Sequence, residues 1–129
     1  MAPVENPATI LLVDDDDALR QFVRRILIQQ EFQVIDAADG AEALKIVSTY
    51  AHRIHLLLTD VIMPKVNGLL LAERLLQWRP DISVIYISGY VEQSVLLAKR
   101  PESVVLLKPF TSSSLITAVR RVLASKDME

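Results

Sequence analysis

The sequence predicts an α/β fold, a five-stranded parallel sheet wrapped on both faces by helices. Two observations lead there. Short runs of Ile, Leu and Val alternate with longer segments of helical period, the signature of strand-helix-strand units. All but one of these runs are almost unbroken apolar residues, as expected of strands covered on both sides. At 129 residues and 51% hydrophobic composition, the chain fits one domain spanning 1–129, with a body over about 8–125 and short tails.

The expected strands are Thr9–Val13, Gln33–Asp36, His55–Thr59, Ser83–Ser88 and Ser103–Leu107. Gln33–Asp36 is the shortest and most polar, which suits a sheet edge. Between the first two, Leu19, Phe22, Val23, Ile26 and Leu27 recur at helical spacing and predict an amphipathic helix. Ala41–Tyr50 and Gly68–Trp78 read as the second and third helices, the latter closed by Arg79-Pro80. Val91–Lys99 is a weaker fourth helix, stopped before Pro101. In the fifth, Leu115, Ala118, Val119, Val122 and Leu123 repeat the amphipathic spacing, and Thr111 is placed to cap its first turn.

Composition narrows the function classes. With 14 Lys+Arg against 16 Asp+Glu, the net charge points to neither nucleic acid nor a membrane surface as a direct partner. The absence of cysteine excludes a disulfide framework and a thiolate metal site. The opening MAPVENPA lacks the basic and long apolar regions of a signal peptide, and no uncharged apolar run approaches the ~18 residues that cross a bilayer. A soluble protein is expected.

Right-handed crossovers and short connections favour a doubly wound (βα)5 sandwich, with the flavodoxin-like strand order 2-1-3-4-5. Such sheets bind ligands outside the carboxyl ends of their strands, where strand order reverses. Those positions hold Asp14 and Asp15 after the first strand, Asp60 after the third, Ser88 at the end of the fourth and Lys108 after the fifth. Taken singly each has a bland reading: acids favouring a helix dipole, a loop carboxylate, a strand-end hydroxyl, a surface cation. Their joint placement on one edge is what points to chemistry.

Three carboxylates brought together repel unless a cation joins them. An all-oxygen donor set favours magnesium (Mg2+). A calcium loop of the EF-hand type does not fit, because the glycine it needs is missing after Asp14 and its twelfth position is Arg25. With the ion in place, Asp60 is the candidate nucleophile toward phosphorus, Lys108 would offset the incoming charge, and Ser88 would donate to a phosphoryl oxygen.

At these residues the chain closely resembles the response-regulator receiver domains of two-component phosphorelays: ILLVDDDDALR at 10–20, LLLTDVIMPKVNG at 56–68, VIYISGY at 84–90 and LLKPF at 106–110. The resemblance runs from about Ile10 to Leu123, and SGY with LLKPF is most like receivers associated with hybrid sensor histidine kinases. It implies that Asp15 and Asp60 bind magnesium directly, that the Ile62 backbone carbonyl is a third ligand, and that Asp14 acts through water. It implies a phosphohistidine donor on a sensor histidine kinase or histidine phosphotransfer protein, a cytoplasmic location, and a cis bond between Lys108 and Pro109. It also implies a domain that catalyses its own phosphorylation and slow dephosphorylation without being a dedicated enzyme. Output would pass to a downstream protein or attached domain through the face made by the fourth helix, fifth strand and fifth helix. Val105 stands where the family often has an aromatic switch residue, and Asn67 where Asp or Ser is common.

Other readings fit less well. A haloacid-dehalogenase-type phosphatase would need a DxDxT arrangement, but Val61-Ile62-Met63-Pro64 follows Asp60. A flavin-binding flavodoxin would need a phosphate cradle after the first strand, where this chain has four aspartates. A receiver-fold module working without phosphorylation would not need the full set of chemical residues. His52 and His55 fall on the far side from the acids and read as structural, as do Trp78 and Phe110.

Overall fold

A computed structural model describes residues 7–89 and 103–127. The elements run β1 (Thr9–Val13), α1 (Asp17–Gln29), β2 (Gln33–Ala37), α2 (Gly40–Thr49), β3 (Leu56–Asp60), α3 (Gly68–Trp78), β4 (Ser83–Ser88), β5 (Ser103–Leu107) and α4 (Ser112–Asp127). The expected Val91–Lys99 helix lies outside the described residues, so α4 is the helix anticipated after Thr111.

The strands form one parallel sheet of order β2-β1-β3-β4-β5. β2 is an edge strand, as its polarity foretold, and it extends one residue further than expected, to Ala37. β3 starts at Leu56 rather than His55 and includes Asp60.

Alternation of side chains along the strands divides the core in two. Leu11, Val13, Leu57, Val84 and Tyr86 face α2 and α3, joined by Ala43, Val47, Leu71 and Leu75. On the other face, Ile10, Leu12, Leu56, Leu58, Ile85 and Ile87 meet Val23, Ile26 and Leu27 of α1 and Leu115, Val119 and Val122 of α4. Phe110 packs at the margin of this second layer.

Caps fix the helix starts. Asp16 accepts from the Leu19 N–H at 3.2 Å, Asp39 from Glu42 at 2.8 Å, Asn67 from Leu70 at 2.9 Å and the Thr111 hydroxyl from Ser114 at 3.0 Å. α1 closes with Glu31 in the left-handed region, at φ 70°, while the Phe32 N–H reaches back to the Leu27 carbonyl at 3.1 Å. At the far end of the sheet, His55 Nδ1 accepts from the Thr9 backbone N–H at 3.0 Å and His52 stacks edge-on with Tyr50, both structural roles. Arg79 ties this end together by donating to the His52 and Tyr50 carbonyls.

Candidate functional site

The strands are parallel, so the carboxyl ends of β1, β3, β4 and β5 share one edge of the sheet, and each delivers one piece of the site. After β1 the chain leaves the ladder with Asp14 still attached to it: its N–H donates to the Ala37 carbonyl of β2 at 3.2 Å. Asp14 is buried and Asp15 is exposed. Asp14 Oδ1 accepts from the Asp16 N–H at 2.9 Å, so the loop folds back on its own carboxylate before α1 begins.

Asp60 ends β3 in register with Ile87 of β4, and is 8% exposed. The Val61 N–H extends that pairing to the Ile87 carbonyl at 3.1 Å. The chain then turns sharply. Val66 N–H donates to the Pro64 carbonyl at 2.8 Å across Lys65, which takes φ 68°. The Gly68 N–H returns to the Val61 carbonyl at 2.8 Å, which brings the start of α3 beside Asp60. Ile62 lies in this turn and is 52% exposed.

Ser88 is buried at the end of β4, and its carbonyl accepts from the Lys108 N–H at 2.8 Å. Lys108 follows β5 across a cis bond to Pro109, as the resemblance implied, and its Nζ donates to Asp60 Oδ2 at 2.9 Å.

Carboxylate oxygens of Asp14, Asp15 and Asp60 all lie within 4.8 Å of one another. The electrostatics follow from that crowding. Burial, reinforced by the Asp60 and Asp15 charges, pushes the Asp14 carboxyl up to about 6, against the Asp16 N–H and the Lys108 ammonium, which favour its charged form. For Lys108, burial works against the charged ammonium. The Asp60 hydrogen bond and the charges of Asp60, Asp14 and Asp16 outweigh it and hold the lysine above its ordinary value.

The residues present fit a hard divalent cation. Asp14 Oδ2 is buried with no hydrogen-bond partner among the described residues. Such an orphaned oxygen is costly unless an ion or a bound water meets it. The donor set is oxygen only, with two further carboxylates in reach, which suits magnesium better than a softer metal.

The site brings together Asp14, Asp15, Asp60 and Lys108 directly and sets Ser88 beside Lys108 through the main chain. One neighbour had no role in the sequence reading. Arg20, in the first turn of α1, donates from Nη1 to the Asp14 carbonyl at 2.7 Å and from Nε to Asp36 Oδ2 at 3.2 Å. Its sequence signal was slight, a lone cation three residues after Asp17.

The chain is similar to known proteins over most of its length. A sequence model of the family described as Response regulator receiver domain matches residues 10–120. The sensor kinase CckA of Brucella abortus is 36% identical over 93% of this chain, which spans 13% of that protein's length. The response regulator receiver protein CpdR of the same organism is 31% identical, over 88% of this chain and 95% of its own length. A crystal structure of the receiver domain from the hybrid histidine kinase CckA superposes with a TM-score of 0.78 at 34% identity, covering 90% of this chain and 99% of that one. The matched span takes in β1 from Ile10 and the whole of β2, β3, β4 and β5, with Asp14 and Asp15 after β1, Asp60 at the end of β3 and Lys108 after β5, and the chain belongs to the response regulator receiver domain family.

Proposed function

We propose that this receiver domain is a working phosphoacceptor, with Asp60 taking a phosphoryl group from a phosphohistidine on a sensor histidine kinase or histidine phosphotransfer protein. The observation that carries this reading is the setting of the Asp60 carboxylate. One oxygen meets the Lys108 ammonium at 2.9 Å, and two further acids stand within 4.8 Å. A carboxylate so placed is held in position and open to a cation.

In the step proposed, an Asp60 oxygen attacks phosphorus, the P–N bond to the donor imidazole breaks, and the imidazole nitrogen keeps the electron pair. Little covalent work falls to the protein beyond positioning and charge. Asp15, Asp60 and the Ile62 carbonyl would hold magnesium, with Asp14 acting through water; the ion, when bound, offsets the negative charge of acceptor and phosphoryl group. Lys108 would move its hydrogen bond from the carboxylate to a phosphoryl oxygen, and the Ser88 hydroxyl would donate to another. Output would pass through β5, α4 and the segment 91–99, the last of these lying outside the described residues. A cytoplasmic location goes with this reading.

The test is intact mass spectrometry after acetyl phosphate and magnesium, on the wild type and Asp60→Asn. One phosphoryl group on the wild type and none on the variant is expected. Equal addition to both would remove Asp60 from the role. Failure to label with tight magnesium binding would favour a module that works without phosphorylation, and turnover of a phosphomonoester would favour a phosphatase.

A further inference from the structure

Arg20 has a side chain only 11% exposed, and its guanidinium divides its donors among three parts of the chain. Nη1 donates to the main-chain oxygen of Asp14 at 2.7 Å, Nη2 to Asp17 Oδ1 at 2.6 Å and Nε to Asp36 Oδ2 at 3.2 Å. Asp36 belongs to β2, and the next residue, Ala37, accepts the Asp14 N–H at 3.2 Å. Asp14 is thus held at both ends of its main chain, by β2 at the N–H and by Arg20 at the carbonyl.

The peptide joining Asp14 to Asp15 is planar, so fixing the direction of its oxygen fixes the plane from which both side chains depart. That constraint matters here. Three carboxylates within 4.8 Å repel one another before any cation arrives, and the exposed Asp15 is free to swing outward unless its backbone is restrained. A guanidinium fork can meet three acceptors from one rigid plane, which an ammonium cannot do. The arrangement at Arg20 matches that ability.

We infer that Arg20 is a positioning residue for the metal site: it holds the Asp14–Asp15 peptide so that both carboxylates face Asp60, and so sets the magnesium affinity. The inference rests on the reading of the site as a magnesium-assisted phosphoacceptor. Asp36 acts one step further back, by holding Arg20.

The experiment compares the full chain with Arg20→Met, Arg20→Lys, Asp36→Asn and the Arg20→Met/Asp36→Asn pair. Magnesium alone is titrated by calorimetry, and urea unfolding in chelator establishes that each variant is folded. Arg20→Met is expected to weaken magnesium on the order of tenfold, as loss of a group that orients a ligand does. Arg20→Lys restores part of the affinity. Asp36→Asn has a smaller effect that disappears in the Arg20→Met background, since both act through one contact. In the metal-free protein the Asp16 amide exchanges faster with water in Arg20→Met, and excess magnesium returns the acetyl phosphate labelling rate of that variant but not of Asp60→Asn.

Unchanged magnesium affinity in folded Arg20→Met would reduce the cluster to a stabilising ion network and overturn the inference. Should Arg20→Met not fold, wild-type affinity in Arg20→Lys would overturn it equally. If the wild type itself bound no magnesium, the reading of the site would fall and the inference with it, an outcome distinct from a wild type that binds and a variant that binds as well.

Discussion

Gly68, the first residue of α3, stands against the main chain of Asp60 so closely that a Cβ there would lie 2.2 Å from the Asp60 carbonyl oxygen. The obstacle is backbone, which cannot rotate away. The glycine is needed for this approach and not for an unusual φ, since the described glycines all avoid the left-handed region. Gly68→Ala is therefore expected to push α3 and the Asp60 turn apart, lowering stability by about 1–3 kcal/mol as overpacking does. It should also slow labelling of Asp60 by acetyl phosphate. Asn67→Ala, one residue earlier, removes only the cap to the Leu70 N–H, with a loss of about 1 kcal/mol and labelling unchanged. Urea unfolding and labelling rates on the pair check this; equal labelling in both variants would contradict the steric argument.

Asp14 carries a burial cost in the metal-free protein that a magnesium ion held at the site would relieve. Its carboxyl is pushed up from 3.8 to about 6, chiefly by burial, so the folded state holds its proton more tightly than the unfolded chain does. Stability from this group is full below the unfolded value and is lost as pH rises through about 6. In chelator, the wild type should gain on the order of 1–3 kcal/mol on acidification from neutral pH to about 5, relative to Asp14→Asn. At neutral pH the asparagine variant should be the more stable of the two, and added magnesium should stabilise it less than the wild type. Urea midpoints with and without the ion read both effects. A wild type that outlasts the variant in chelator at neutral pH would refute the assignment.

The Lys108–Asp60 contact allows the two proposed tasks of the site, holding magnesium and accepting a phosphoryl group, to be tested apart. Replacing Lys108 with Met removes the cation at 2.9 Å from Asp60 Oδ2, and with it a donor that would follow the charge of a phosphoryl group placed on Asp60. Labelling by acetyl phosphate should slow by about 10²-fold, the usual effect of losing one donor to developing negative charge. Magnesium affinity should hold or rise, because a competing cation has left the carboxylates. Labelling rates by intact mass and calorimetry for the ion measure the two independently. A wild-type rate in the variant would take the lysine out of the transfer step.

Much of this site was legible because its residues follow directly from a period. Strand ends can be read off where an apolar run stops, and Asp14, Asp15, Asp60, Ser88 and Lys108 all stand at or beside such a stop. The polar β2 announced its own edge position for the same reason. Phe22 shows the limit. Its spacing assigns it to the apolar face of α1, yet it is 47% exposed, because the buried stripe narrows to Val23, Ile26 and Leu27 where the helix meets the sheet. Arg20 shows a deeper one. Its carbonyl acceptor is six residues away and Asp36 sixteen, on another strand, so no local pattern could pair them. The left-handed Glu31 ending α1 is a further case, since nothing in a glutamate forecasts that backbone.

A phosphoryl group on Asp60 would be felt at β5 through Ser88 and Lys108. Ser88 sits one residue beyond Ile87, the register partner of Asp60, and pairs with Leu107 across β4 and β5. Its carbonyl takes the Lys108 N–H at 2.8 Å, while Lys108 Nζ holds Asp60. Asp60, Ser88 and Lys108 are thus linked in a closed loop of contacts. Val105, two residues before Leu107, is half-buried against the core and cannot offer the inward and outward rotamers of an aromatic ring. Coupling must then run through the main chain between Ser88 and Lys108. A group on Asp60 that draws in the Ser88 hydroxyl should shift the Ser88–Lys108 main-chain hydrogen bond, and with it the end of β5. Backbone NMR with beryllofluoride, a mimic of the phosphoryl group, should show shifts at Gly89 and through Val105 to Lys108 in the wild type. In Ser88→Ala the ligand should still bind beside Asp60, but the shifts at Val105 to Leu107 should collapse. Equal propagation without the hydroxyl would place the coupling elsewhere.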